Sequence, residues 1–353
     1  MRFNKNIKIG NRRISEKAPC YIIAEAGVNH NGRVDVAKRL IDAAAKAGAD
    51  AVKFQMFRTE EIILKNVKKA PYQEKAVIEK EDQFRMLKSL ELDFSSHQKL
   101  YEHCKKRKIT YLCTPYDAVS LNNVVELGVR AIKIASTDLT NLFLLEKAAE
   151  KGLPIILATG MSDGTEVRKA CAHIYNKGCR DLILLHCTSN YPVGPEEVNL
   201  RAMATLAYEF GVLTGFSDHT EGVGAAPYAI PLNACLIEKH FTLDKSMDGP
   251  DHRASLEPGE FKKLIASIRY AEKILGSDKK VVTRSESITK RLLQKYVIAK
   301  RDIKKGAEIV LSDLDAKRTG GSGVSPLSRG LLIGKKALRD IAKDEPIPLS
   351  HVR

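Results

Sequence analysis

The chain has 353 residues, 44% hydrophobic and 29% charged. No apolar run approaches the ~18 residues that cross a bilayer, and no apolar signal core or cleavage site follows the basic start, so neither a membrane span nor a secretory signal is expected and a cytoplasmic protein is. The 7 cysteines lie scattered without a C-x-x-C pair, which fits reduced thiols rather than a disulfide framework or a zinc site, and the net charge of +15 suits either nucleic acid or an anionic substrate. Between Val281 and Arg353 there are 16 Lys/Arg against 8 Asp/Glu, but they are spread singly and in pairs without a helix stripe or aromatic pattern, so no nucleic-acid partner is expected.

In chain order, short β-rich runs alternate with amphipathic stretches. Strands are expected at Tyr21–Ala26, Ala51–Phe57, Thr110–Thr114, Ala131–Ala135, Pro154–Thr159, Leu182–Cys187, Leu213–Ser217 and Cys235–Phe241. Helical patterns lie between them, as at Val34–Lys46, Leu142–Glu150, Val167–Asn176 and Phe261–Ile274. Eight strand–helix units in about 270 residues match the arithmetic of a (β/α)8 TIM barrel. A doubly wound sheet is the alternative, but no G-x-G-x-x-G follows the first strand.

Two segments depart from this alternation. Arg58–Leu92 is a long connection, placed to cover the active face. After Gly276 the chain turns polar, and beyond this linker AKRDIKKGAEI (Ala299–Ile309) and ALRDIAKDEPI (Ala337–Ile347) match at 6 of 11 positions. A small β domain built from two similar hairpins accounts for the repeat. The expected organisation is a barrel over 1–278, a linker over 279–293 and a small domain over 294–353.

Catalytic groups of a parallel barrel project from the C-terminal ends of its strands. Lys53 and Gln55 share one face of strand two, and Lys133 sits inside strand four. A lysine inside AVKFQMF or AIKIAS is costly unless an anion meets it. Two such lysines with hydroxyls nearby suggest one shared phosphate or carboxylate; the alternative is that each pairs with a neighbouring glutamate. His219 and His240 end adjacent strands and could share a divalent metal, or be two separately hydrogen-bonded histidines. His97, His103, His173 and His351 read as surface residues, and Cys187 as a buried structural thiol. The block Asp244–Pro258 crosses the top of the barrel, which places Asp251 and His252 toward the cavity.

The strings IAEAGVNHNG, AVKFQMF, TPYD, ATGMS, HCTSNYP, GFSDHT, EKHFTLD and GPDHRASLEP, in that order, resemble the sialic acid synthase family, which includes N-acetylneuraminate and legionaminic acid synthases. The chain after about Leu293 is similar to the antifreeze-like (SAF) domain that follows the barrel in those enzymes. The resemblance implies a transferase that forms a carbon–carbon bond between phosphoenolpyruvate and an N-acetylmannosamine-type aldehyde. The products would be a nine-carbon 2-keto acid, N-acetylneuraminate, and phosphate.

It further implies that Lys53, Thr114, Lys133, Ser136, Ser189 and Ser217 hold phosphoenolpyruvate, and that Gln55, Tyr191, Asp251 and Arg318 contact the sugar. Glu25, Lys53, Lys133 and Asp251 would form the catalytic set. His219 and His240 would ligate manganese, with Mg2+ or Co2+ as alternatives. A domain-swapped homodimer is the expected assembly, with Arg318 acting on a partner's site. Three departures stand out: Ala158 where some members carry serine, Ser136-Thr137-Asp138 in place of Ser-Gly-Glu, and KRTGG in place of KRPG. Legionaminic and pseudaminic acid synthases, which use 2,4-diacetamido-trideoxy hexoses, share most of these strings, and IAEAGVNHNG is closer to the sialic/legionaminic branch. A lysine Schiff-base aldolase and a non-enzymatic glycan- or ice-binding module are the competing classes.

Overall fold

The computed structural model describes residues 1–65, 67–68 and 82–353. The chain divides into two compact units, Met1–Gly276 and Ser277–Arg353. In the first, eight parallel strands alternate with helices: β1 (Tyr21–Gly27), β2 (Ala51–Met56), β3 (Thr110–Pro115), β4 (Ile132–Ile134), β5 (Ile155–Ala158), β6 (Leu182–His186), β7 (Leu213–Asp218) and β8 (Leu236–His240). Hydrogen-bonded neighbours run β3-β2-β1-β8-β7-β6-β5-β4, with β1 paired to β8. β3 and β4 lie side by side without a ladder among the described residues, so the sheet is a nearly closed TIM-type barrel.

The strands are buried on both faces, as an inner barrel wall covered by helices requires; YIIAEAG in β1 is buried at every position. Their outer faces pack on helical stripes such as Val36, Ala37, Leu40, Ile41 and Ala44 of the helix Val34–Ala47. The helix Phe94–Arg107, capped by the Asp93 carboxylate, buries His97, Leu100 and Cys104. His97 is therefore not a surface residue: it lies in the core, with Nδ1 2.7 Å from the Tyr111 hydroxyl. Its spacing to Leu100 and Cys104 is that of one helix face, which overrides the polarity of the ring.

An element absent from the strand pattern closes the other end. Ile7–Ile9 pairs antiparallel with Arg12–Ile14, and Ile7, Ile9 and Ile14 join one apolar cluster with Tyr21, Ala51, Leu213 and Leu236. Those four are the first residues of β1, β2, β7 and β8, so the hairpin plugs the barrel at the N-terminal ends of its strands.

The long connection after β2 contains the helices Thr59–Ile62 and Gln83–Leu90. Residues 66 and 69–81, on which its reading as a cover for the active face also rests, lie outside the described residues.

In the second unit, the segment read as a linker contains a helix, Arg284–Leu293, capped by Thr283 and Glu286 and with no buried residue. Strand β9 (Lys295–Ala299) pairs antiparallel with β10 (Leu314–Arg318). The two sequence repeats do not form separate hairpins; they pair with each other. Ile303 bridges its own counterpart, Ile341, and the amides of Asp344 and Ala337 donate to the carbonyls of Ala299 and Ala307. Equivalent positions thus meet about a local two-fold axis, over a core of Val297, Ile303, Ile309, Ile341 and Ile347. Among the described residues no helix is long and apolar enough to cross a membrane.

Candidate active site

The C-terminal ends of the strands surround a cavity of about 540 Å3. Its floor is a buried charge cluster. Lys53 Nζ lies 3.2 Å from Glu25 Oε2 and 3.3 Å from Glu238 Oε2, and donates to Thr114 Oγ1 at 3.0 Å. Lys133 Nζ reaches Glu238 Oε1 at 3.5 Å, and the Ser217 hydroxyl donates to the same oxygen at 3.0 Å. Both lysines are therefore paired with the protein's own carboxylates, the alternative posed by the sequence, although both still line the cavity.

Glu238 was not among the candidate site residues. It stands two positions before His240 on β8, hence on the same face, but its meeting with Lys53 depends on β8 closing against β1.

Charge is shared unequally. Burial opposes ionisation of Glu238, but Lys133 and Lys53 outweigh it and hold its carboxyl down. Burial dominates at Glu25, whose carboxyl is pushed up to about 7 despite Lys53. Burial alone would discharge Lys53, but Glu238 and Glu25 together hold it protonated. Both partners of the Lys53–Glu25 pair are thus raised, which favours the charged lysine and the neutral carboxyl: Glu238 carries the firm negative charge, and Glu25 is the carboxyl that titrates near neutrality. Burial lowers Lys133.

Gly27 sits at a positive φ of 50°, and a Cβ there would meet Gln55 Nε2 and Glu25 Oε1 at 3.3 Å and Asp251 Oδ2 at 3.5 Å. Glu25, Gln55 and Asp251 thus converge, and Gln55 Nε2 donates to Glu25 Oε1 at 3.3 Å. Burial pushes the Asp251 carboxyl up to about 6. His252 does not face the cavity: its ring is fully buried, 2.6 Å from Thr242 Oγ1 and 3.1 Å from Asn31 Oδ1.

On the far side, the Gly160 amide donates to Ser136 Oγ at 3.0 Å and to Cys187 Sγ at 3.2 Å. A Cβ on Gly160 would fall 2.3 Å from Ser189 Oγ and 2.9 Å from Cys187 Sγ. An amide ringed by two hydroxyls is a cradle suited to phosphate oxygens. Cys187 is buried with its thiol pKa raised, chiefly by burial, and no base activates it.

The rings of His219 and His240 lie 5.6 Å apart, with Tyr191 4.1 Å from the first. The 2.6 Å contact between His219 Nδ1 and the Thr188 carbonyl fixes that nitrogen as the donor, leaving Nε2 an unprotonated acceptor. His240 Nδ1 is buried without a hydrogen-bond partner, 3.8 Å from Asp251 Oδ2. Burial keeps both imidazoles neutral, His219 down to about 4. Two neutral rings, one with an orphaned nitrogen, fit a divalent cation completed by substrate or water. Among the described residues no group of three or more His, Cys, Asp or Glu forms a complete metal cage.

Every expected site residue of the barrel reaches this cavity or bonds to a group that does. Arg318 lies at the end of β10 in the second unit, exposed and paired in register with Lys295. The departures at Ala158 and Thr137 line the same cavity.

Residues 40–280 match the NeuB family and residues 294–353 the SAF domain. The chain belongs to the NeuB family. Its relatives include N,N'-diacetyllegionaminic acid synthase of Legionella pneumophila, 43% identical over 94% of each chain. The synthase of the same name from Campylobacter jejuni is 44% identical, over 92% of this chain and 98% of that one. Among solved structures, N-acetylneuraminic acid synthetase from Leptospira borgpetersenii in complex with citrate is 36% identical with a TM-score of 0.72, covering 81% of this chain and 95% of that one. This NeuB-family chain is an enzyme, a phosphoenolpyruvate-utilising synthase built on a TIM barrel with a SAF domain.

Proposed function

We propose that this NeuB-family enzyme joins C3 of phosphoenolpyruvate to the aldehyde carbon of an open-chain acetamido-mannose sugar, giving a nine-carbon 2-keto sugar acid and inorganic phosphate. The observation that carries this reading is the pairing of Lys53 and Lys133 in one buried cluster between a hydroxyl-and-amide cradle and two neutral histidines. The phosphate would lie against Ser136, Ser189 and the Gly160 amide, the carboxylate against Lys53, Thr114 and Ser217. An anion arriving there takes over lysine charge that Glu25 and Glu238 neutralise in its absence.

As C3 attacks, positive character grows at C2, and water adds there. The C2–O bond to phosphate then breaks, releasing phosphate and the keto group. Glu25, titrating near neutrality beside Lys53, is placed to take and return the proton of that water. Gln55, Tyr191 and Asp251 would orient the sugar. His219 and His240 would hold a divalent cation, Mn2+ first, which when bound supplies Lewis acidity at the aldehyde oxygen.

The relatives named N,N'-diacetyllegionaminic acid synthase support a 2,4-diacetamido-2,4,6-trideoxy sugar as substrate. The Leptospira enzyme named for N-acetylneuraminic acid supports 2-acetamido-2-deoxymannose as the second reading. Incubation with phosphoenolpyruvate, Mn2+ and both sugars, with phosphate and keto acid measured, tests the class and the choice together. A borohydride-trapped pyruvate adduct without phosphate release would replace the synthase reading by a Schiff-base aldolase.

The proposal extends to a homodimer in which Arg318 of one subunit serves the sugar of the other, a reading carried by the resemblance to sialic acid synthases. Mixing Arg318→Ala with His240→Ala subunits should then recover about a quarter of wild-type activity from two nearly inactive parents, by subunit counting in a symmetric dimer. No recovery after verified exchange refutes action in trans.

A further inference from the structure

Two of the strings that mark this chain hold polar residues that the proposed chemistry does not use: Asn29-His30-Asn31 after β1, and His252 beside Asp251. The segment that carries Asp251 has little regular structure of its own. Between β8 and the helix Pro258–Leu275 it forms a short 3-10 turn, His252–Ala254, and a bridge from Phe241 to Leu256. The Asp251 carboxylate stands 3.8 Å from His240 Nδ1, beyond hydrogen-bond distance, so the backbone that carries it must set its place.

That backbone is pinned to the end of β1. The Asn29 amide donates to the Phe241 carbonyl at 3.0 Å and to Ser255 Oγ at 2.9 Å, and the Ser255 hydroxyl donates on to the carbonyl of Asp251 at 2.6 Å. Asn31 Nδ2 donates to the Asp248 carbonyl at 2.8 Å, which turns Asn31 Oδ1 toward His252 Nε2 at 3.1 Å. That nitrogen therefore carries the proton, and His252 Nδ1 accepts from the Thr242 hydroxyl at 2.6 Å. Gly249 lies close over this contact: a Cβ there would fall 2.6 Å from His252 Cδ2 and 2.9 Å from Asn31 Oδ1. Asn29, Thr242, His252 and Ser255 are all buried, so the loss of one bond leaves a polar group unpaired away from water.

We infer that Asn29, Asn31 and His252 are positioning residues, which clamp the segment 248–255 to the end of β1 and so hold the Asp251 carboxylate beside Glu25 and His240. The inference rests on the reading in which Asp251 orients the sugar. Amide and imidazole side chains suit the task because each offers a donor and an acceptor at a fixed separation, whereas a carboxylate only accepts and an ammonium only donates. None of the three is placed against substrate, yet a displacement of Asp251 by about 1 Å costs up to roughly a hundredfold in rate.

The test measures kcat/KM for 2,4-diacetamido-2,4,6-trideoxymannose and 2-acetamido-2-deoxymannose, together with calorimetric binding of phosphoenolpyruvate. It compares wild type with Asn29→Ala, Asn31→Gly, His252→Leu, His252→Gln and Asp251→Asn, and with the first three each combined with Asp251→Asn. Glycine tolerates the positive φ of 50° at Asn31, so Asn31→Gly removes only the side chain of a half-buried residue and guards against a folding defect at the buried positions. Asn29→Ala, Asn31→Gly and His252→Leu should each lower kcat/KM for the sugar that wild type uses by about tenfold to a hundredfold, with phosphoenolpyruvate affinity unchanged. Added to Asp251→Asn, each should cost little more, because residues that act through one group are not additive. His252→Gln, whose amide still donates toward Asn31, should keep most of the activity. Losses that multiply in the Asp251→Asn background, a parallel loss of phosphoenolpyruvate binding, or three variants as active as wild type overturn the inference. Asp251→Asn with wild-type sugar kinetics overturns the role given to Asp251 and the inference with it. Absence of phosphate release from wild type with both sugars overturns the synthase reading beneath them.

Discussion

Glu238 bridges both lysines of the floor, so Glu238→Gln is the sharpest perturbation of the cluster. Its oxygens lie 3.3 Å from Lys53 and 3.5 Å from Lys133, each attraction worth about 5 kcal/mol at an effective dielectric of 20. Removing the carboxylate strands a buried lysine, and breaking such a pair costs about 3–5 kcal/mol after desolvation is counted. In a domain of this size that is a fall in melting temperature of about 6–20 °C. The substitution leaves two lysines facing Glu25, so an added anion should stabilise the variant more than wild type. Thermal scans with and without saturating phosphoenolpyruvate measure both effects, because a ligand adds stability that grows with the logarithm of its affinity for the folded state. A melting point within 2 °C of wild type by this order-of-magnitude estimate, or a phosphoenolpyruvate shift no larger than wild type's, refutes the view that Glu238 stands in for substrate charge.

The carboxyls of Glu25 and Asp251 are raised to about 7 and about 6, above their unfolded values. Their contribution to stability is therefore complete below about pH 4 and lost as pH rises through 6 to 7. Melting temperatures of wild type should decline over pH 5–8 relative to a Glu25→Gln/Asp251→Asn variant, and parallel curves would show that neither carboxyl is raised. Gly160→Ala drives a methyl to 2.3 Å from Ser189 Oγ, so calorimetry should find phosphoenolpyruvate binding weakened at least tenfold in a folded protein; unchanged binding removes the cradle from the phosphate site. Dialysis against a chelator should abolish turnover and Mn2+ restore it, and His219→Ala or His240→Ala should lose Mn2+ binding in calorimetry. Full activity after exhaustive chelation removes the metal from the reaction.

All eight barrel strands were legible because each is a short apolar run between helical periods, and the lysines stood out because their run of neighbours is apolar. Local pattern could not supply their partner. Glu238 meets Lys53 through β8 pairing with β1, residues far apart in the chain that only ring closure brings together. The apolar patch of the cavity lining formed by Val28, Phe57, Met86 and Leu90 is hidden for a similar reason: its residues come from separate segments of the chain. The N-terminal hairpin is not legible in the sequence because its strands have three residues each, too short for alternation to register. His97 shows the opposite error, a buried helix position whose i, i+3, i+7 spacing was readable but was masked by a polar residue type.

The hairpin at the base of the barrel has a kinetic corollary. With Ile7, Ile9 and Ile14 sealing the lower end, the barrel opens, among the described residues, at the C-terminal ends of its strands, and the lysines lie on the floor of that cavity. On the proposed placement, two reactants that share one entrance would queue: phosphoenolpyruvate, held deepest, would go in ahead of the sugar, and a sugar that entered first would block the passage. Initial-rate patterns should therefore be sequential and ordered, with the sugar inhibiting at high concentration and inorganic phosphate trapped until the sugar acid has left.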